Sequence, residues 1–397
     1  MVSVIGHRYD LALESRVEDA RPEYVFETAD GVCSKQSFRT PELLLADVLW
    51  STDVDRLLVP GANYGVVGVL LAASTDYVAM TESSARAATL CERNAAANGV
   101  ETDVTLTAGV TELEGTADTE VLQLPGVPDE RRFDAVAYAP KPYTPLDVGG
   151  QRILDVASRL APGGRVYVTA AKHTGLARYE TLLEDVAGDV ESVGSREGFQ
   201  VLRAAVPGNP AKGFESRMWA NVREFDVTVD GIDLSLVSVP GVFSVSELDA
   251  GTRLLAESAE VSDGERVLDL CCGYGALGTY AASAADCEVW LTDDDRMATA
   301  CAERVLEVND VEASVVTADG LRGVAAESYD RVLCNPPTHA TDEVLNGLFG
   351  GVRDVLRSGG ELLAVHHGEL DLRPQLSAFE TVEAVAAGGE HVVIRAR

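Results

Sequence analysis

Lysine is almost missing from this sequence. Among 397 residues only Lys35, Lys141, Lys172 and Lys212 supply it, and the remaining cations are arginine. Asp and Glu together number 64 against 32 Lys plus Arg, a formal charge of −32. The acidic residues are scattered along the chain, which excludes a localised acidic tail. Pervasive acidity with so little lysine reads as adaptation to a very salty cytoplasm. At about 1 M salt the screening length is only about 3 Å, so self-repulsion is muted. The same screening weakens the usual inference that an acidic protein avoids nucleic acid. Long apolar runs are also lacking: none approaches the ~18 uncharged residues a membrane helix needs. The opening MVSVIGHRYDLALESRVED is broken by charge and holds no apolar signal region, so a non-exported, cytoplasmic chain is expected. None of the seven cysteines sits in a CxxC pair, and no His/Cys spacing resembles a zinc site. They read as reduced thiols in apolar stretches, and no metal is expected. What is plentiful is apolar side chain, at 46% of the residues, enough for two domains of ordinary size.

The chain repeats itself. GVCSKQSFRTPELLLA, beginning at Gly31, lies over GVFSVSELDAGTRLLA, beginning at Gly241. RLLVPGANYGVVG from Arg56 lies over RVLDLCCGYGALG from Arg266 at the same spacing. Further on, FDAVAYAPKP from Phe133 matches YDRVLCNPPT from Tyr329, and LAPGGRVYV matches LRSGGELLA. The later matches are closer together, which implies an insertion in the first copy around Thr116 to Arg131. A duplicated domain is therefore expected. Its joint is placed near VPGNPAKGFESR, where Pro207, Gly208, Pro210 and Gly213 punctuate the chain. Each copy reads as apolar strands alternating with helices, the signature of a parallel sheet covered on both faces. Ligands of such sheets bind beyond the carboxyl ends of the strands, where LDLCCGYG, TDDD, TADG and NPP all fall.

In the second copy Leu268-Asp269-Leu270-Cys271-Cys272-Gly273-Tyr274-Gly275 runs from a strand into a glycine turn that opens a helix. A carboxylate just before the glycines repels a pyrophosphate and suits a cationic or amino-bearing ligand, which points to S-adenosyl-L-methionine. Asp293 ends the next strand, where an acidic side chain accepts hydrogen bonds from ribose hydroxyls. Asp294 and Asp295 suit a helix start. Asp319, after the third strand, sits where such sites read an adenine amino group. Asn335-Pro336-Pro337 ends the fourth strand. The Asn335 amide oxygen and the Pro336 carbonyl can each accept one hydrogen of an exocyclic amine, directing its lone pair at a methyl group. The prolines stiffen that acceptor pair. An Asn-Pro pair is also a common turn initiator, so residue type alone leaves both readings open.

Together PGVFSVSELDAGTRLLA, VLDLCCGYGALG, LTDDD, CNPPTH and LRSGGELLAVHH resemble the ribosomal RNA guanine-N2 methyltransferases built from two tandem class I methyltransferase domains. The resemblance implies an α/β fold of two tandem doubly wound, Rossmann-like domains. Residues 1–206 would form a degenerate copy without a cofactor site, helping to hold RNA, and 207–397 the catalytic copy. It further implies that Asp269, Cys271, Gly273, Gly275, Asp293 and Asp319 contact S-adenosylmethionine, and that Asn335, Pro336 and Pro337 hold the guanine amine. Phe243, Thr338 and His339 would meet the substrate. The expected partner is RNA, either ribosomal RNA or a ribosomal subunit, bound by a monomer. The first copy has Val59 opposite Asp269, Asn63 opposite Gly273, Gly109 opposite Asp319 and Ala139 opposite Asn335; only Glu82 survives, opposite Asp293. Tyr143, Lys141 and Arg152 are its candidate RNA contacts, with a solvated surface as the alternative. One position departs from the family pattern: where an aromatic residue normally follows the two prolines, this chain has Thr338, which cannot stack on a base. His339, Tyr274 and Phe243 are the rings available instead. The NPP clamp serves adenine N6 or a protein glutamine amide equally well, and a non-catalytic RNA-binding or assembly factor is the reading from a different class.

Overall fold

A computed structural model describes residues 6–15, 17, 20–108, 127, 131–206, 221–326 and 328–397. The chain forms two compact units, one built from Arg8–Asn221 and the other from Val222–Arg397 together with the residues up to His7. The Pro/Gly-rich joint and most of the insertion expected at Thr116 to Arg131 lie outside the described residues.

The N-terminal unit opens with a hairpin, β1 (Arg8–Glu14) against β2 (Glu23–Ala29). Seven further strands make one sheet: β3 (Arg56–Pro60), β4 (Tyr77–Glu82), β5 (Asp103–Leu106), β6 (Phe133–Tyr138), β7 (Leu160–Ala171), β8 (Val190–Arg196) and β9 (Phe199–Ala205). Their spatial order is β5-β4-β3-β6-β7-β9-β8. The C-terminal unit repeats this plan. Its hairpin pairs β10 (Arg223–Val229) with β11 (Ile232–Ser238). Its sheet contains β12 (Arg266–Leu270), β13 (Glu288–Asp293), β14 (Ser314–Thr317), β15 (Tyr329–Cys334), β16 (Leu356–His367), β17 (Val382–Gly388) and β18 (His391–Ala396), in the order β14-β13-β12-β15-β16-β18-β17.

Each sheet is mixed rather than wholly parallel. Six strands run in one direction, and one, β9 or β18, is reversed, pairing antiparallel with both of its neighbours near one edge. The reason is local: in the N-terminal unit β8 and β9 are joined by Glu197-Gly198 alone, and a two-residue turn can only reverse the chain. Both residues have positive φ, 50° and 82°, as a type I′ turn requires. Asp230-Gly231 turns β10 into β11 in the same way, with φ of 48° and 80°. The central strands are buried on both faces, so they read as apolar runs; β12 and β15 carry Val267, Leu268, Leu270, Val332, Leu333 and Cys334 into the core. The strand order reverses between β12 and β15, and the crevice at their carboxyl ends is where this architecture takes ligands.

Candidate active site

The turn after β12 is shaped by three left-handed residues, Cys271 (φ 61°), Gly273 (φ 55°) and Gly275 (φ 85°). The two glycines do different work. A Cβ at Gly273 would meet nothing within 4 Å, so the backbone there fronts an open cradle. A Cβ at Gly275 would lie 2.9 Å from both Ala302 Cβ and Leu291 Cδ2; this glycine serves close packing of the helix Ala276–Ala284. The Cys271 side chain packs with the apolar cluster that holds Cys334. The Cys334 thiol and burial together hold the Cys271 thiol well above its usual pKa, so it is an inert thiol and only its backbone shapes the turn. All seven cysteines are free. Among the described residues no group of His, Cys, Asp or Glu is placed to hold a metal ion.

Three carboxylates stand at three successive strand ends. Asp269 is fully buried beneath the turn, and its Oδ2 accepts the Gly278 amide at 2.8 Å. Its Oδ1 is buried with no hydrogen-bond partner. Burial, reinforced by the nearby Asp293 charge, pushes Asp269 up to about 7 against the Gly278 bond. Asp293 ties the turn to the next strand: Oδ2 accepts the Gly273 amide and Oδ1 the Asp295 amide, each at 3.0 Å. Burial raises it to about 6. Asp295 caps the following helix by accepting from Met297 N at 3.0 Å, the helix-start role expected of it. Asp319 is buried after β14, its Oδ2 3.5 Å from Arg322 Nη2, and the Ala318 amide bonds the Asp293 carbonyl at 2.8 Å. An open cradle, a partnerless buried carboxylate oxygen and aligned acidic strand ends fit a ligand carrying hydroxyls, an amine and a positive centre.

Asn335 continues β15 beyond Cys334. Its Nδ2 donates to Thr252 Oγ1 at 2.8 Å and to Asp249 Oδ2 at 3.2 Å. Asp249 is the N-cap of the helix Ala250–Ser258 and accepts the Thr252 amide at 2.8 Å. A carboxylate can only accept, so the Asn335 nitrogen must face it, and the amide oxygen is left for another donor. Asp249 and Thr252 were not among the expected site residues. They lie 86 and 83 positions from Asn335, so no local pattern links them. Pro336 is buried, Thr338 half-buried, and Pro337 and His339 exposed. Of the candidate stacking rings, Tyr274 is excluded: it is only 4% exposed, edge-on to Phe225 at 6.1 Å, with its hydroxyl on the Glu247 carbonyl at 3.4 Å. Phe243 is 61% exposed.

The N-terminal unit keeps the scaffold and fills the site. Gly61, Asn63 and Gly65 reproduce the three left-handed residues, with φ of 60°, 61° and 90°. The Asn63 amide still bonds a carboxylate, Glu82 Oε1, at 2.6 Å. The Asn63 side chain, however, occupies the space that Gly273 leaves open, bonding Cys33 N at 3.1 Å and Cys33 O at 2.9 Å. Lys141 Nζ lies 2.8 Å from Glu82 Oε1. Burial opposes charge on Glu82, but Lys141 more than offsets it and holds the carboxyl below its usual range. Lys141 is thus an internal counterion and not a surface contact; Arg152 packs over Gly61, and only Tyr143, at 66% exposure, faces outward. A pocket of about 10 Å³ remains between Gly61, Glu82, Thr107 and Arg152, room for one water. The strand register places Ala108, one residue before the expected Gly109, opposite Asp319: Thr107 N bonds Glu82 O as Ala318 N bonds Asp293 O. At the place of Asp249 stands Arg39, whose Nη1 donates to Glu42 at 2.9 Å and to the Ala139 carbonyl at 3.2 Å, and whose Nη2 donates to the Pro140 carbonyl.

Known proteins share this plan. A sequence model of the methyltransferase small domain matches twice, over residues 23–203 and 233–395. The ribosomal RNA large subunit methyltransferase G of Pseudomonas putida is 30% identical over 359 residues, covering 86% of this chain and 87% of its own. The ribosomal RNA small subunit methyltransferase C of Pseudoalteromonas atlantica is 31% identical over 261 residues, covering 64% of this chain and 74% of its own. Among solved structures, the T. thermophilus 16S rRNA N2 G1207 methyltransferase, determined with AdoMet and guanosine, matches 94% of this chain and 95% of its own with a TM-score of 0.74. At 22% identity that likeness is one of fold. The chain belongs to the methyltransferase small-domain family.

Proposed function

We propose that this chain transfers a methyl group from S-adenosyl-L-methionine to the exocyclic N2 of guanine in ribosomal RNA. The observation that carries the reading is the fixed amide of Asn335: with Nδ2 held by Asp249 and Thr252, Oδ1 is the acceptor presented to an amine. The naming of the long-range relatives as ribosomal RNA methyltransferases supports the choice of substrate. When bound, S-adenosylmethionine supplies an electrophilic methyl on a positive sulfur that departs as a neutral thioether.

The chain's residues supply the rest. Asp293 and Asp319 hold the nucleoside part from two strand ends, Gly273 lets the backbone approach it, and buried Asp269 sets a negative potential under the turn. Asn335 Oδ1 and the Pro336 carbonyl accept the two hydrogens of the amine, which turns its lone pair out of conjugation and towards the methyl. Both acceptors stabilise the positive charge that grows on nitrogen as the N–C bond forms, and one proton then leaves to solvent. Phe243 and His339 are the exposed rings available to the base. The N-terminal unit is a filled copy, derived by duplication, that binds no cofactor. The acidic, lysine-poor composition supports work as a monomer in a cytoplasm of high salt. Among the described residues no helix is long and apolar enough to cross a membrane.

The test is incubation of the purified chain with ribosomal RNA and methyl-labelled donor in molar KCl, followed by digestion to nucleosides and mass spectrometry. Label in N2-methylguanosine is expected. Label in N6-methyladenosine, in protein glutamine or nowhere rejects the assignment.

A further inference from the structure

We infer that Asp249 is a positioning residue that acts through Asn335, fixing which amide atom faces the substrate and strengthening it as an acceptor. The inference rests on the proposed methyl transfer at Asn335 and adds to it a charged partner.

Three hydrogen bonds close a small relay. Asn335 Nδ2 donates to Thr252 Oγ1 at 2.8 Å, Thr252 Oγ1 donates to Asp249 Oδ2 at 3.2 Å, and Asn335 Nδ2 donates to Asp249 Oδ2 at 3.2 Å. Both amide hydrogens are therefore used, and the Thr252 hydroxyl is turned by Asp249 so that its lone pairs meet the amide. Free in solution an asparagine side chain presents oxygen or nitrogen with equal ease; here a flip would set Oδ1 against a carboxylate. An anion on the nitrogen side also favours the amide resonance form with negative charge on oxygen, because hydrogen bonds in series polarise one another. The acceptor facing an amine that is turning cationic is thereby the stronger. The carboxylate is itself held at the helix N-terminus, where the Thr252 amide bonds it at 2.8 Å.

The other half of the chain gives an independent observation. There the asparagine position is Ala139, and with no amide to hold, the Asp249 and Thr252 positions have become Arg39 and Glu42, an ion pair at 2.9 Å. Arg39 reaches across and donates to the Ala139 and Pro140 carbonyls, the counterparts of the Asn335 and Pro336 carbonyls. A guanidinium thus lies where the catalytic copy is argued to take an amine. In the C-terminal copy the helix start beside the asparagine position carries Asp249, and in the N-terminal copy, beside Ala139, its cap is Arg39 paired with Glu42.

The experiment compares wild type with Asp249→Asn, which keeps the cap because asparagine caps as well as aspartate, and with Thr252→Val and Thr252→Ser. Single-turnover transfer is expected to fall about 10- to 100-fold in Asp249→Asn and Thr252→Val and to recover in Thr252→Ser, less than the ~10²–10³ cost of losing a direct donor or acceptor. Donor binding by calorimetry and the thermal midpoint stay at the wild-type values. Asp249→Asn placed on Asn335→Ala adds no further loss, as a residue acting through Asn335 requires. An activity-independent readout is the Asn335 side-chain amide in ¹⁵N spectra, assigned by its disappearance in Asn335→Ala: its hydrogens exchange slowly in wild type and fast in Asp249→Asn. Unchanged exchange, unchanged transfer, additive loss in the double variant or parallel loss of donor binding each overturns the inference. If wild type fails to methylate guanine at all, the proposed function falls while the exchange measurement still judges Asp249.

Discussion

Asn63 and Gly273 share one backbone conformation, φ 61° and 55°, at the same point of the same turn in the two halves of the chain. Asparagine tolerates the left-handed region better than other residues with a Cβ, so the turn survives the exchange. What changes is the space in front of it, which Asn63 fills by bonding both backbone groups of Cys33.

Gly273→Asn should therefore fold and lose its ligand. The added Cβ meets nothing within 4 Å and the left-handed backbone is one asparagine accepts. Calorimetry of the wild type should find one equivalent of S-adenosylmethionine per chain and of Gly273→Asn none, with thermal midpoints alike. Two equivalents in the wild type would show that the N-terminal copy is not filled.

Donor affinity should rise with pH between about 5 and 8. Asp293 at about 6 and Asp269 at about 7 lie above the 3.8 of a free carboxyl, chiefly through burial. A raised pKa means that the folded apo-protein holds protons the unfolded chain has released, so these groups weaken folding as pH rises from about 4 towards 7 and change it no further above that. Ligand binding should run the other way under the proposed role of Asp293, because an ionised carboxyl is a better acceptor for a ribose hydroxyl than its acid form. Titrations at several pH values should give a dissociation constant that weakens as pH falls through about 6, and Asp293→Asn should bind weakly with a flatter profile. A flat wild-type profile would remove Asp293 from the ligand.

The parallel strands and the NPP terminus were legible because strands buried on both faces become apolar runs, and proline stops them visibly. The opening hairpins were not. β1 alternates exposed and half-buried residues throughout, and the long charged stretch around it hides the period of two. Asp230-Gly231 was the available signal, a dipeptide made for a type I′ turn. The antiparallel edge was missed for the same reason, its turns being two residues long. Asp269, Asp293 and Asp319 do lie at or just after strand ends as the sequence implied, but Asp319's counterpart slipped by one because TAD over TAG aligns as sequence while the ladder aligns Thr107 with Ala318. Asp249 and Thr252 were out of reach: their meaning lies in a hydrogen bond to a residue far along the chain.

Arg39→Ala should destabilise the N-terminal unit without touching donor binding. Arg39 and Glu42 pair with side chains 5% and 3% exposed, and burial already pushes Glu42 above the usual carboxylate range with Arg39 beside it. Removing one partner of a buried pair leaves the other uncompensated, at about 3–5 kcal/mol. Denaturant unfolding should show that loss, and Arg39→Ala with Glu42→Gln should recover part of it. A single variant as stable as wild type would mean that water replaces the guanidinium freely.

Phe243 should supply the ring that lies flat against the base. Thr338 has no ring, Tyr274 is buried with its hydroxyl engaged, and Phe243 is exposed at 61% on the segment leading to the Asp249 cap. A large apolar ring left in water offers its face to a base, and stacking of that kind contributes about 1–3 kcal/mol per base. Phe243→Ala should weaken RNA binding by that amount in fluorescence anisotropy at molar KCl, while the thermal midpoint stays fixed because the ring packs against little of the fold. Phe243→Tyr should retain binding, since the face is kept. Thr338→Phe placed on Phe243→Ala should restore affinity if the two positions address the same base. Full affinity in Phe243→Ala would hand the stacking role to exposed His339, and His339→Ala would then show the loss instead.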